Sequence, residues 1–280
     1  MKRRYLCSLA VVGFVALFYG PSPALAQGYL GTNLTPYAVL AGTTVTCTGA
    51  STITGDVGVS PGSAITGFPA PCTDVGTLRI PPASDPGQAA LLTAYGTLAA
   101  QPCSSTVGPD LAGLTLVQGV YCVNAAASNL TGTLTLDAQG NPNAVWVFRM
   151  SSSLVTSSDS RVAIINGGNA CGVEWQVSSS ATIGSGTTFV GNILALTSIA
   201  LNTGANLTGR ALARNGAVTL DTNNVSFGAC GAGGGASGPP PPFPAPVPTL
   251  PQIGAWALLV VLLGSGAYAL SRRTPTEASK

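Results

Sequence analysis

The 280-residue chain has no histidine, and only 7% of its residues carry charge, where soluble domains reach about a quarter. Between Gln27 and Cys230 lysine is absent; the five arginines and eight acids there are scattered singly. No basic stripe exists to bind nucleic acid, and no acidic cluster to hold a hard cation. Without histidine or any Cys-x-x-Cys spacing, a zinc site is not expected, and the serines lack a base. Asp110, Asp137, Asp159, Glu174 and Asp221 stand apart, which argues against a carboxylate-paired β-helix enzyme acting on polysaccharide. The expectation is a non-enzyme with no cofactor and no metal.

What the chain does contain is repetition. Ser185–Ala195 lies over Thr203–Ala213 at an offset of 18 residues, matching Gly186 with Gly204, Gly191 with Gly209 and Leu194 with Leu212. Ser198–Thr203 lies over Ala217–Thr222 at an offset of 19. Each repeat holds three short alternating runs split by Gly, Asn or Asp, the pattern of one coil of a three-faced solenoid. An apolar-x-Gly unit recurs as Ile53-Thr54-Gly55, Ile65-Thr66-Gly67, Leu111-Ala112-Gly113, Leu130-Thr131-Gly132, Phe189-Val190-Gly191 and Leu207-Thr208-Gly209, with Leu154-Val155-Thr156 as a degenerate copy. If the apolar residue and the glycine face inward, the middle residue and the one before the unit face out. One outward face is then expected to carry Thr52, Thr54, Thr66, Asn129, Thr131, Thr188, Asn206 and Thr208. A second-choice face carries Thr182, Ala200 and Thr219.

The fold expected is all-β with one long helix: a right-handed three-faced β-solenoid, stapled by disulfides, with the helix along one face. The helix is read over about 86–101, with Asp85 as N-cap, Pro86 at its first position, Gln88 closing a capping box and Pro102 stopping it. Gly96 inside it points to close packing. Almost every side is apolar, so most sides should be covered. Leu194 and Leu212, set between inward residues, should make the face that receives it.

Residues 1–26 read as a secretory signal, with a basic start at Lys2-Arg3-Arg4 and a cleavage site at Ala24-Leu25-Ala26. The body, 27–230, carries six cysteines in an exported setting, which implies disulfides. The pairs expected are Cys47–Cys72, Cys103–Cys122 and Cys171–Cys230, neighbours in sequence order. Residues 231–248 form a Gly- and Pro-rich linker. Residues 253–270 form an uncharged run able to span a bilayer, and Arg272 and Arg273 hold the tail, 274–280, in the cytoplasm.

Two resemblances follow from these residues. Thr52–Pro69, Gly113–Cys122, Leu130–Met150, Cys171–Ala195 and Gly209–Asn223 together resemble the ice-binding protein family of bacteria, fungi and algae. That family is similar in having an irregular three-faced solenoid with a helix beside it. The resemblance implies adsorption to ice or ordered water through one flat face. Stronger members show Thr-(Ala/Gly)-x-(Thr/Asn) repeats, matched here by Ser185-Gly186-Thr187-Thr188 and Thr203-Gly204-Ala205-Asn206. The segment 249–273, behind Val247-Pro248, looks like a Gram-negative C-terminal sorting signal with a Pro-Thr-Leu-Pro motif. It implies export to the cell surface or beyond, a membrane contact through the C-terminal helix, and a processing enzyme as partner. The competing reading is a cell-surface adhesin of the same fold, binding carbohydrate or a partner cell and leaving ice unaltered.

Overall fold

The computed structural model describes residues 29–228. In them, short strands build three parallel sheets of nine, seven and eight strands. The chain visits the sheets in rotation. Val173–Val177, Ala181–Ile183 and Thr188–Val190 make one coil, and Asn192–Ala195, Ile199–Leu201 and Asn206–Thr208 make the next. Alternation sets the facing: in Val218–Asp221 the valine and Leu220 are buried while Thr219 is exposed.

Coil length is not uniform, and the interior adjusts to it. Asn192 stands beside Glu174, 18 residues earlier. Arg149 stands beside Cys122, 27 residues earlier. One inward row of the first sheet runs Tyr121, Phe148, Trp175, Ile193, Ala211, Val39. Its aromatic rings stack with centroids 5.7 and 4.0 Å apart in the long coils, and the row tapers to alanine where the coils shorten. Wide coils need large side chains to reach interior density. Trp146 and Trp175 give their indole N–H groups to the carbonyls of Leu116 and Val190, so neither buried donor is left unsatisfied.

The order of stacking departs from the order of sequence. Tyr37–Ala41, Thr44–Thr48 and Thr52–Thr54 pair with Ala211–Ala213, Val218–Asp221 and Asn224–Ser226, joining the first coil to the last. Asp56–Val59, Ala64–Thr66, Thr73–Asp74 and Leu78–Arg79 extend the stack beyond the first coil. An α-helix, α1 (Asp85–Ala99), then connects to Ser105–Val107 at the opposite edge of the first sheet. From there the coils return towards their starting point.

The helix is where it was expected, but its start differs. Its N-cap is Ser84, whose buried hydroxyl donates to Val59 O at 2.6 Å instead of capping the helix. Asp85 lies in the first turn and accepts from Ser60 Oγ at 2.5 Å. Gln88 closes no capping box; its amide reaches Ala213 O at 3.1 Å and ties the helix to the solenoid. Gly96 is exposed with open space around it, whereas a Cβ on Gly87 would meet the Tyr37 ring at 2.7 Å. Close approach therefore occurs at Gly87. The helix buries Leu91, Ala94, Tyr95 and Leu98, and leaves Leu92 54% exposed, so one stripe is covered and not most sides.

Cys47–Cys72 and Cys103–Cys122 are formed, with Cα separations of 6.2 and 5.7 Å. They staple opposite ends of the stack. Cys171 is disulfide-bonded; its expected partner, Cys230, lies outside the described residues. So do the signal, the linker, the membrane-spanning run and the sorting signal.

Candidate functional site

Three outward faces are possible sites, and they differ in what covers them. On the first sheet, Leu40, Leu212, Leu194, Gln176 and Arg149 form one outward row. The three leucines are fully buried outside the interior cluster, as the repeat implied for Leu194 and Leu212. The helix lies here: Gln176 Nε2 donates to the Tyr95 hydroxyl at 2.8 Å, and that hydroxyl donates to Val177 O at 3.3 Å.

A neighbouring row is polar yet equally buried. Asn192 Nδ2 donates to Glu174 Oε1 at 3.1 Å, and Arg210 Nη1 donates to Asn192 Oδ1 at 3.2 Å. Arg210 also reaches Thr35 O at 3.2 Å and lies 4.2 Å from the Phe227 ring centroid. Tyr29, Leu30 and Leu34 are buried too, part of the N-terminal segment that carries Thr35. Burial pushes the Glu174 carboxyl up to about 8, against the opposing pull of Asn192 and Arg210, and lowers Arg210 to about 10. Such a chain of buried groups holds its elements in place. This face is filled by the protein's own chain.

The second sheet is bare. Its central outward row runs Asn129, Val155, Thr182, Ala200, Thr219, Thr46, Thr66 in unbroken register. Seven positions at about 4.8 Å make a strip roughly 29 Å long. None of the seven is charged, and four are threonine.

The third sheet presents a comparable row: Thr73, Thr52, Asn224, Asn206, Thr188, Arg161, Thr133. Beside it run Thr54, Ser226, Thr208 and Val190. Two features interrupt it. Arg161 is an exposed charge, and the strand it opens registers with Thr188–Val190 only at Arg161 and Thr188.

The eight residues expected to share one face do not. Thr52, Thr54, Thr188, Asn206 and Thr208 lie on the third sheet. Thr66 and Asn129 lie on the second, in the row that also holds Thr182, Ala200 and Thr219. Thr131 sits in a turn and donates its hydroxyl to Asp110 at 2.5 Å. The cause is that an apolar-x-Gly unit marks any corner where a strand turns. Gly209 is needed because a Cβ there would come within 1.9 Å of Gly191 O, whereas Gly67 clears Cys47 O beside a disulfide. The same three letters serve two different corners.

Between the second and third sheets lies a shallow trough of about 240 Å³. Thr48, Ser185, Thr203, Thr219 and Asp221 are among its lining residues. Asp221 is its one charged residue, and no repeat pattern singled it out.

Comparison with known proteins places this geometry. A family model described as ice-binding-like matches residues 39–226. The chain belongs to the ice-binding-like family. Within that family it is 47% identical over 228 residues to an ice-binding protein of Nostoc sp. (strain HG1), covering 81% of this chain and 83% of that protein. Among solved structures, an ice-binding protein from an Antarctic biological consortium superposes with a TM-score of 0.68 at 41% identity, covering 72% of this chain and 92% of the other. One from the Antarctic ascomycete Antarctomyces psychrotrophicus superposes with a TM-score of 0.67 at 38% identity, covering 69% and 95%.

Proposed function

We propose that the protein adsorbs to ice and restrains its growth through the outward face of the second sheet. The observation that carries this reading is the seven-position uncharged row from Asn129 to Thr66. Threonine offers a methyl group, which disfavours disordered hydration, and a hydroxyl, which anchors water by hydrogen bonds. A charge would orient water differently, and Arg161 introduces one on the third sheet. The parallel coils hold the row before ice is met, so little ordering cost accompanies binding. No catalytic step is required of any residue.

The relatives named as ice-binding proteins support the ligand; the bare row supports the face. The test is nanolitre cryoscopy of the purified protein and of Thr182→Tyr/Thr219→Tyr. Faceted ice crystals and a freezing-point gap are expected for the parent, with the gap lost in the double variant at unchanged melting temperature. A double variant with the parent's full gap rejects this face. A parent that leaves ice shape unaltered rejects the ligand and favours the adhesin reading.

Export and anchoring belong to the same proposal. Residues 1–26 would direct export and be removed, and 249–273 would hold the body outside the inner membrane until processed. Intact mass of the mature protein and membrane fractionation test both steps.

A further inference from the structure

The trough beside the second sheet contains a side chain that the adsorption reading leaves without a role. Asp221 occupies the corner position taken by Thr48 in the neighbouring coil, with which it is in register. On the other side, Gly204 N donates to Asp221 O, setting Thr203 next to it. In register the corner runs Asn202, Asp221 and Thr48, so a carboxylate stands between an amide and a hydroxyl, with Thr203 one residue further on.

That carboxylate is engaged on both oxygens. Thr203 Oγ1 donates to Oδ2, and Thr222 Oγ1 donates to Oδ1 at 3.1 Å. The backbone beneath is fixed as well, since Asp221 N donates to Asn223 Oδ1 at 2.6 Å. Gly49, with φ +64°, makes room: a Cβ there would lie 2.2 Å from Thr222 Oγ1 and 2.7 Å from Asp221 Oδ1. Thr219 lines the trough and also stands in the central row of the second sheet. Trough and row are therefore one continuous surface.

We propose that Asp221 is a positioning residue of the adsorbing surface. By accepting from Thr203 and Thr222 it fixes both hydroxyls, and their remaining lone pairs, with the Thr48 and Ser185 hydroxyls, hold a file of water along the trough. That file widens the ordered strip beyond the central row. A threonine free to rotate would hold the same water in several orientations, and ordering it would cost free energy on contact with ice. Each oxygen accepts one hydroxyl, so part of the carboxylate's acceptor capacity is already used within the protein.

This inference rests on the second-sheet reading, and the experiment separates the two. Hysteresis, ice-plane labelling with fluorescent protein and melting temperature are measured for the parent, Asp221→Asn, Asp221→Ala and Thr203→Val. Hysteresis in Asp221→Ala and Thr203→Val is expected to fall about threefold, as a disordered edge row would. Asp221→Asn, which keeps an acceptor, should retain most of it, and melting temperatures should agree. If Asp221→Ala fails to fold, Thr203→Val carries the test alone. An active parent with undiminished Asp221→Ala or Thr203→Val overturns the role of Asp221 and leaves the face intact. So does an Asp221→Asn variant as weak as Asp221→Ala. A parent without hysteresis overturns both.

Discussion

The outward faces of the first and second sheets are made by the same coils, a few residues apart, and have opposite fates. Leu212 and Thr219 both point away from the interior on successive strands of the last coil. Leu212 is fully buried under the protein's own chain, and Thr219 is exposed. The scaffold is indifferent; the outward side chain decides. Leucines, Gln176 and the Glu174–Asn192–Arg210 chain bring the helix and the N-terminal segment down onto one face. Threonine and alanine, too short and too well solvated to recruit a covering element, leave the other to solvent.

The strongest way to break the contrast is one substitution made on both faces. Leu212→Asp should prevent folding or cost about 4 kcal/mol, since a carboxylate would be buried without a partner. Loss of the cooperative urea transition would show it. Thr219→Asp should leave that transition within about 0.5 kcal/mol, as exposed substitutions do, while abolishing hysteresis. Equal destabilisation by the two would mean that the second face is also structural.

Acidity should separate the faces next. Glu174 titrates near 8 in the folded protein, against the ordinary 4.5. Between those values the unfolded chain has lost the proton that the folded chain keeps. Stability contributed by this group is therefore present below about pH 4.5, declines as pH rises towards 8, and is level above it. Arg210, near 10, keeps its charge throughout this window. Urea melts at pH 5 and pH 8.5 should differ by roughly 1–3 kcal/mol, and Glu174→Gln should shrink the difference. A variant with the parent's slope would locate the titration elsewhere. The smallest effect is expected on the third sheet: Thr188→Tyr/Thr208→Tyr should lower hysteresis by less than about a third, a peripheral loss beside an intact central row. A collapse there would move the site to the face carrying Arg161.

Much of the fold was legible because a solenoid repeats itself. The 18-residue offset, the outward Leu194 and Leu212, the helix and two of the disulfides follow from local pattern. The partner of each coil does not. Alternation within Thr44–Thr48 announces a parallel strand, but nothing in it says that Val218–Asp221, late in the chain, lies beside it. Face assignment failed for a related reason. Ile65-Thr66-Gly67 and Leu207-Thr208-Gly209 spell the same corner, and only coil stacking reveals that they end different sheets. Glu174 and Asp221 looked alike as isolated acids. Their surroundings, one sealed beneath the chain and one at a solvent edge, come from elements distant in sequence.

The seam where the first coil meets the last has a mechanical consequence. Tyr37 opens one of these neighbouring coils and Ser226 closes the other. A tug between the two ends of the described chain would thus be carried by a single joint of short parallel ladders, while the longer, aromatic-filled coils feel little of it.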